Sequence, residues 1–122
     1  MLFRSATVVD NWTATGDSRN DGTARLATSG RNIVLSAILA GLGWHVENSG
    51  LAALFEGSAL DDTLSGAGGI DTLRGSAGND SLTGGSGADL FDIDAGIDAI
   101  TDLGLGADRL DRKSTRLNSS HT

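Results

Sequence analysis

"GGIDTLRGSAGNDSLTGGSGADLF", Gly68 to Phe91, carries aspartates at 71, 80 and 89, each two residues before a large apolar side chain, Leu73, Leu82 or Phe91. Extended outward at the same spacing, residues 57 to 92 divide into four nines: GSALDDTLS, GAGGIDTLR, GSAGNDSLT and GGSGADLFD. The first position is Gly57, Gly66, Gly75 and Gly84, the sixth is Asp62, Asp71, Asp80 and Asp89, and the eighth is Leu64, Leu73, Leu82 and Phe91. The fourth is glycine in three units and Leu60 in the first. Three columns held in phase across four units mark a structural repeat, not a glycine-rich composition.

Each column has a physical task. Glycine at positions one and four lets the chain turn sharply and lets backbones approach closely. A turn leaves carbonyls without strand partners, and these need a donor or a cation. The aspartate delivers a carboxylate to the same place. The residues after it suit a short strand whose position-eight side chain points inward. A second unit returns the chain on the opposite side, so two units make one coil. Leu64 then lies over Leu82 and Leu73 over Phe91, with coils separated by about 4.8 Å. The same stacking brings Asp62 to Asp80 and Asp71 to Asp89. Two carboxylates about 5 Å apart repel by roughly 3 kcal/mol at an effective dielectric near 20. Carboxylate and carbonyl oxygens at a flexible site suit calcium, whereas magnesium prefers a tighter octahedron and zinc prefers nitrogen and sulfur. The alternative reading of the same column is a calcium-free solenoid in which the aspartates cap turns.

The units resemble the RTX nonapeptide, G-G-x-G-x-D-x-U-x, and "GGSGADLFD" (Gly84 to Asp92) matches every specified position. The resemblance implies a mainly β fold, a short right-handed parallel β-roll (β-solenoid) over residues 56–92. It implies calcium as the bound ion, with Asp62, Asp71, Asp80 and Asp89 as side-chain ligands. It also implies backbone oxygens from the turns that begin at Gly57, Gly66, Gly75 and Gly84, with Gly68 and Asn79 inside those turns. That family consists mostly of large bacterial proteins exported by type I secretion, so a secreted, extracellular location is implied. Leu60 in place of glycine, and glycine at position two only in Gly85, mark the turn at Gly57 as a weak site or a cap. One or two well-formed sites are expected.

The resemblance reaches beyond the units. "VENSGLAALFEGSALDDTL" (Val46 to Leu64) looks like a lead-in to the first repeat, and residues 93–111 look like the C-terminal cap that follows the last one. In the cap the nine-residue spacing is expected to lapse. Ile97, Ile100, Leu103, Leu105 and Leu110 are candidates to close the end, and Asp102, Asp108 and Asp111 match the family's terminal pattern. Residues 1–55 are expected to be an irregular or β-rich lead-in. "TARLAT" alternates weakly as a strand, and "NIVLSAILAGLGWHVENSG" (Asn32 to Gly50) reads either as a short helix ending near Gly41 or Gly43 or as two buried strands. "RKSTRLNSSHT" (112–122) changes abruptly to basic and resembles translated adapter sequence, so it is set aside as a non-native tail.

Composition narrows the function. The chain has 122 residues, 18 glycines, no proline and no cysteine, so neither disulfides nor cysteine-based zinc sites contribute. Its formal charge of −7 disfavours nucleic acid and favours a cation. "IVLSAILAGLGWHV" (Ile33 to Val46) is too short for a confident membrane span, and Asp10, Asp17 and Asp21 precede it where a leader would be basic. Asp92, Asp94 and Asp98 fail as an EF-hand, because Ile97 stands where the loop needs glycine and Leu103 where it needs glutamate. His45 is expected to pack beside Trp44, and His121 falls in the tail. Neither H-E-x-x-H nor G-x-S-x-G occurs. The expected function is calcium binding that couples folding to export, without catalysis in this chain. The alternatives are the C-terminal part of a secreted protease, lipase or polysaccharide-modifying enzyme, and a self-associating adhesin. Expected partners are calcium, the type I secretion machinery and an upstream domain.

Overall fold

The computed structural model describes residues 5–8, 10–14, 24–39, 41–93, 96–101 and 109–112. They form twelve strands and no helix. The first six are β1 (Ser5–Val8), β2 (Trp12–Thr13), β3 (Ala24–Thr28), β4 (Ile33–Val34), β5 (Trp44–Asn48) and β6 (Leu54–Glu56). The others are β7 (Thr63–Ser65), β8 (Thr72–Arg74), β9 (Ser81–Thr83), β10 (Leu90–Ile93), β11 (Ala99–Ile100) and β12 (Arg109–Arg112). Odd strands pair into one sheet, β1-β3-β5-β7-β9-β11, and even strands into another, β12-β10-β8-β6-β4-β2. Every pairing is parallel, so the chain alternates between the sheets and winds a β-solenoid.

The expected stacking is present. Leu64 pairs with Leu82 and Leu73 with Phe91. Both columns extend in both directions: Leu26–Val46–Leu64–Leu82–Ile100 in one sheet and Ile33–Phe55–Leu73–Phe91–Leu110 in the other. These side chains form a single core, fully buried from Ile33 to Phe91 and partly exposed at Ile100 and Leu110. The core is one or two side chains thick. Regular interleaving of the two columns, more than volume, is what excludes water from it.

The lead-in is part of the same solenoid. Of the two readings left open for residues 33–46, the strands are correct: β4 and β5 flank a segment in which Leu35 and Ile38 are buried. The repeat was invisible here because the coils are longer. Leu26 to its partner Val46 is twenty residues, Trp12 to Ile33 is twenty-one and Ile33 to Phe55 is twenty-two, against eighteen from Val46 to Leu64. Trp44 is buried and meets Trp12 in a tilted ring contact at 6.2 Å. His45 does not pack inward beside it. It points outward from β5, with Nε2 3.0 Å from Glu47 Oε1, which also accepts from Arg25 at 3.0 Å. Ile97, expected to close the end of the roll, is exposed. Leu103, Leu105, Asp102, Asp108, Asp94, His121 and the tail beyond Arg112 lie outside the described residues.

Candidate metal centre

Turns connect the two sheets on both sides of the roll, and the aspartate column lies where each turn re-enters a strand. Asp62, Asp71, Asp80 and Asp89 are all buried, the most exposed at 2 %. Buried carboxylates are costly unless something donates to them. One donor is built in. Oδ1 of each aspartate accepts the backbone N–H eighteen residues earlier: Trp44 to Asp62 at 2.8 Å, Ala53 to Asp71 at 2.9 Å, Asp62 to Asp80 at 2.7 Å and Asp71 to Asp89 at 2.9 Å. The pairs foreseen from the repeat, Asp62 with Asp80 and Asp71 with Asp89, are thus brought together through backbone amides.

A fifth aspartate continues the series. Asp98 is buried and its Oδ1 accepts the Asp80 amide at 2.9 Å. The expectation that the spacing lapses after Asp92 therefore missed a unit. "IDAGIDAIT" (Ile93 to Thr101) keeps Gly96 at position four, Asp98 at six and Ile100 at eight, and only the position-one glycine is replaced, by Ile93. Reading columns four, six and eight without requiring the first glycine would have found it.

The second carboxylate oxygen is the informative one. Oδ2 of Asp71 and Oδ2 of Asp80 are buried with no hydrogen-bond partner. Each faces the glycine that opens its own turn. A Cβ on Gly66 would lie 2.5 Å from Asp71 Oδ2 and 2.8 Å from the Gly84 carbonyl oxygen of the next coil. On Gly75 a Cβ would collide with Asp80 Oδ2, and on Gly84 with Asp89 Oδ2. Glycine at position one thus keeps open a cradle walled by a carboxylate oxygen and, at Gly66, a carbonyl oxygen. Among the described residues no three His, Cys, Asp or Glu side chains gather into a metal cage. A cation here would take one carboxylate oxygen per turn and complete its shell with carbonyls and water, a hard-donor set of the kind calcium accepts.

The electrostatics agree with an unmet need for positive charge. Burial, the largest cause, raises Asp62 and Asp71 from 3.8 to about 6. Asp80 is raised to about 8, by burial first and then by the neighbouring charges of Asp62 and Asp98. Two of the expected residues sit differently. Asn79 is exposed, and its Oδ1 accepts the Ile97 amide at 2.9 Å, so that oxygen is engaged on the outer turn. Gly68 has room for a side chain, since a Cβ there would meet nothing nearer than 3.5 Å.

The family model for the RTX calcium-binding nonapeptide repeat (4 copies) matches residues 56–91 and, shifted by one unit, residues 65–100, which takes in Asp98. No match was found among curated proteins or among solved structures. Repeats of this kind bind calcium ions and are structural rather than catalytic. The two buried oxygens without donors, Asp71 Oδ2 and Asp80 Oδ2, and the glycine-kept cradles fit that ion. Residues 56–100 of the chain are an array of RTX calcium-binding nonapeptide repeats.

Proposed function

We propose that calcium bound at the glycine turns orders this roll, and that this couples the folding of a secreted protein to its arrival in a calcium-rich medium. The observation that carries the reading is the pair of buried oxygens, Asp71 Oδ2 and Asp80 Oδ2, that no protein donor satisfies. The ligands in this reading are Asp71, Asp80 and Asp89, with backbone oxygens of the turns that begin at Gly66, Gly75 and Gly84. Cytosolic calcium leaves low-affinity sites of this type empty, and millimolar extracellular calcium fills them. Because no site exists in the unfolded chain, binding free energy becomes folding free energy. A chain that stays loose inside and locks outside is suited to export as an extended polypeptide, and the locked roll would support a neighbouring catalytic or adhesive domain.

The test is far-UV circular dichroism of the chain during a calcium titration, with magnesium as control. A cooperative gain of β signal between submillimolar and millimolar calcium, reversed by chelator, is expected. A β signal already complete in chelator and unmoved by calcium would make the aspartates turn caps and overturn the reading.

A further inference from the structure

The turn at 57–62 has the same cradle as its neighbours but different contents. A Cβ on Gly57 would lie 2.8 Å from Asp62 Oδ2 and 2.5 Å from the Gly75 carbonyl oxygen, the arrangement seen at Gly66. Yet both oxygens of Asp62 are already satisfied. The buried Ser58 hydroxyl lies 2.9 Å from each of them, and the Ser58 amide donates to Oδ2 at 2.7 Å. The same hydroxyl accepts the Leu60 amide at 3.1 Å, which closes the turn locally. Position two explains the difference. Ala67 and Ser76 hold this place with φ of 68° and Gly85 with 87°, whereas Ser58 is not among the residues with positive φ. The change of backbone swings the Ser58 amide and hydroxyl inward. Leu60, partly packed on the core, replaces the position-four glycine in the same turn, and the Ala59 amide bonds to the Ile38 carbonyl at 3.0 Å.

The opposite side of the roll has a counterpart. Asn48 occupies the column that Gly66 and Gly84 continue. It is buried, its Oδ1 accepts the Gly30 amide at 2.8 Å, and its Nδ2 donates to Asp71 Oδ1 and to the Leu51 carbonyl. One amide group thus bridges a carboxylate and a turn carbonyl, the two kinds of oxygen that a cation would take in the reading above.

We infer that the cation array begins one turn late on each side, and that Ser58 and Asn48 are neutral plugs standing where a cation would otherwise sit. Asp62 is then a structural acceptor and not a metal ligand. The first metal-bearing turns are those of Asp71 and Asp80. This inference rests on the calcium reading above and assigns its boundary.

The test is calcium stoichiometry of the whole chain by equilibrium dialysis, for the wild type and for Asp62→Asn and Asp80→Asn, each of which keeps an oxygen for the amide of the preceding coil. Asp62→Asn should bind as many calcium ions as the wild type, and Asp80→Asn one fewer. Ser58→Ala supplies a second readout: it should lower the unfolding midpoint by the same amount at limiting and at saturating calcium, since its hydroxyl acts without metal. Loss of an ion in Asp62→Asn, or a Ser58→Ala effect that grows with calcium, would overturn the inference while leaving the calcium reading intact. Absence of calcium binding in the wild type would remove both.

Discussion

The two oxygens of Asp80 have different surroundings. Oδ1 holds the Asp62 amide, and Oδ2 is buried with no donor. Asp80→Asn keeps the first contact and removes the charge from the second. In chelator at pH 9, above the value near 8 to which burial and its neighbours raise Asp80, the substitution should strengthen the residual β signal. In saturating calcium it should lower the melting temperature. Circular dichroism under the two conditions would show the crossing, and a loss of structure in both would mean that the charge itself is not the cost. The columns of glycine, aspartate and leucine were legible because each is forced by a distinct local requirement. Ser58 and Asn48 were not singled out, because a serine or asparagine in a polar turn carries no periodic signal. The role of Ser58 depends on the φ of one residue, and that of Asn48 on the column in which β5 places it.

Strands of two to five residues cannot stand alone, so each element here is defined by its neighbours above and below. Leu82 has no substitute in so thin a core. Leu82→Asp should prevent the calcium-induced β signal even at saturating metal, as seen by circular dichroism. On the even-numbered sheet, Arg74 bridges two coils: it lies 3.0 Å from Glu56 on β6 and 2.7 Å from the buried Asp92 on β10. Removing the guanidinium would take from the buried Asp92 the positive charge that Arg74 supplies, and that penalty exceeds the worth of the pair itself. Arg74→Met should therefore cost about 1–3 kcal/mol in chemical denaturation, and Asp92→Asn in the same chain should recover part of it. The even–odd alternation of strands was readable only where coils are eighteen residues long. Insertions of two to four residues before Val46 broke the period while leaving the inward column intact, so Leu26 and Ile33 fold as repeat positions without looking like them.

For the molecule as a whole, proton and calcium compete for Asp71 and Asp80, while at Asp62 the proton acts alone. The folded values of Asp62 and Asp71 near 6 and of Asp80 near 8 lie above the ordinary 3.8. A group whose folded value is raised stabilises the fold below its unfolded value and loses that contribution as pH rises through the folded one. Metal-free roll should accordingly weaken from about pH 4 to pH 8. Calcium requires the carboxylates deprotonated, so the calcium midpoint should fall across the same window, and titrations at pH 5, 6.5 and 8 would show both trends. A formal charge of −7 spread over the chain adds to the repulsion that metal relieves.

The ladder from each aspartate to the amide of the preceding coil has a mechanical consequence. Pulled from its two ends, the solenoid should yield coil by coil. Each release in the repeat region would free eighteen residues, about 60 Å of extended chain, and each release nearer the N-terminus roughly 70 Å. Calcium should raise the force of the 60 Å steps and leave the longer ones unchanged. In a force trace the ion would act as a latch on one part of a spring whose remaining coils keep their stiffness without it.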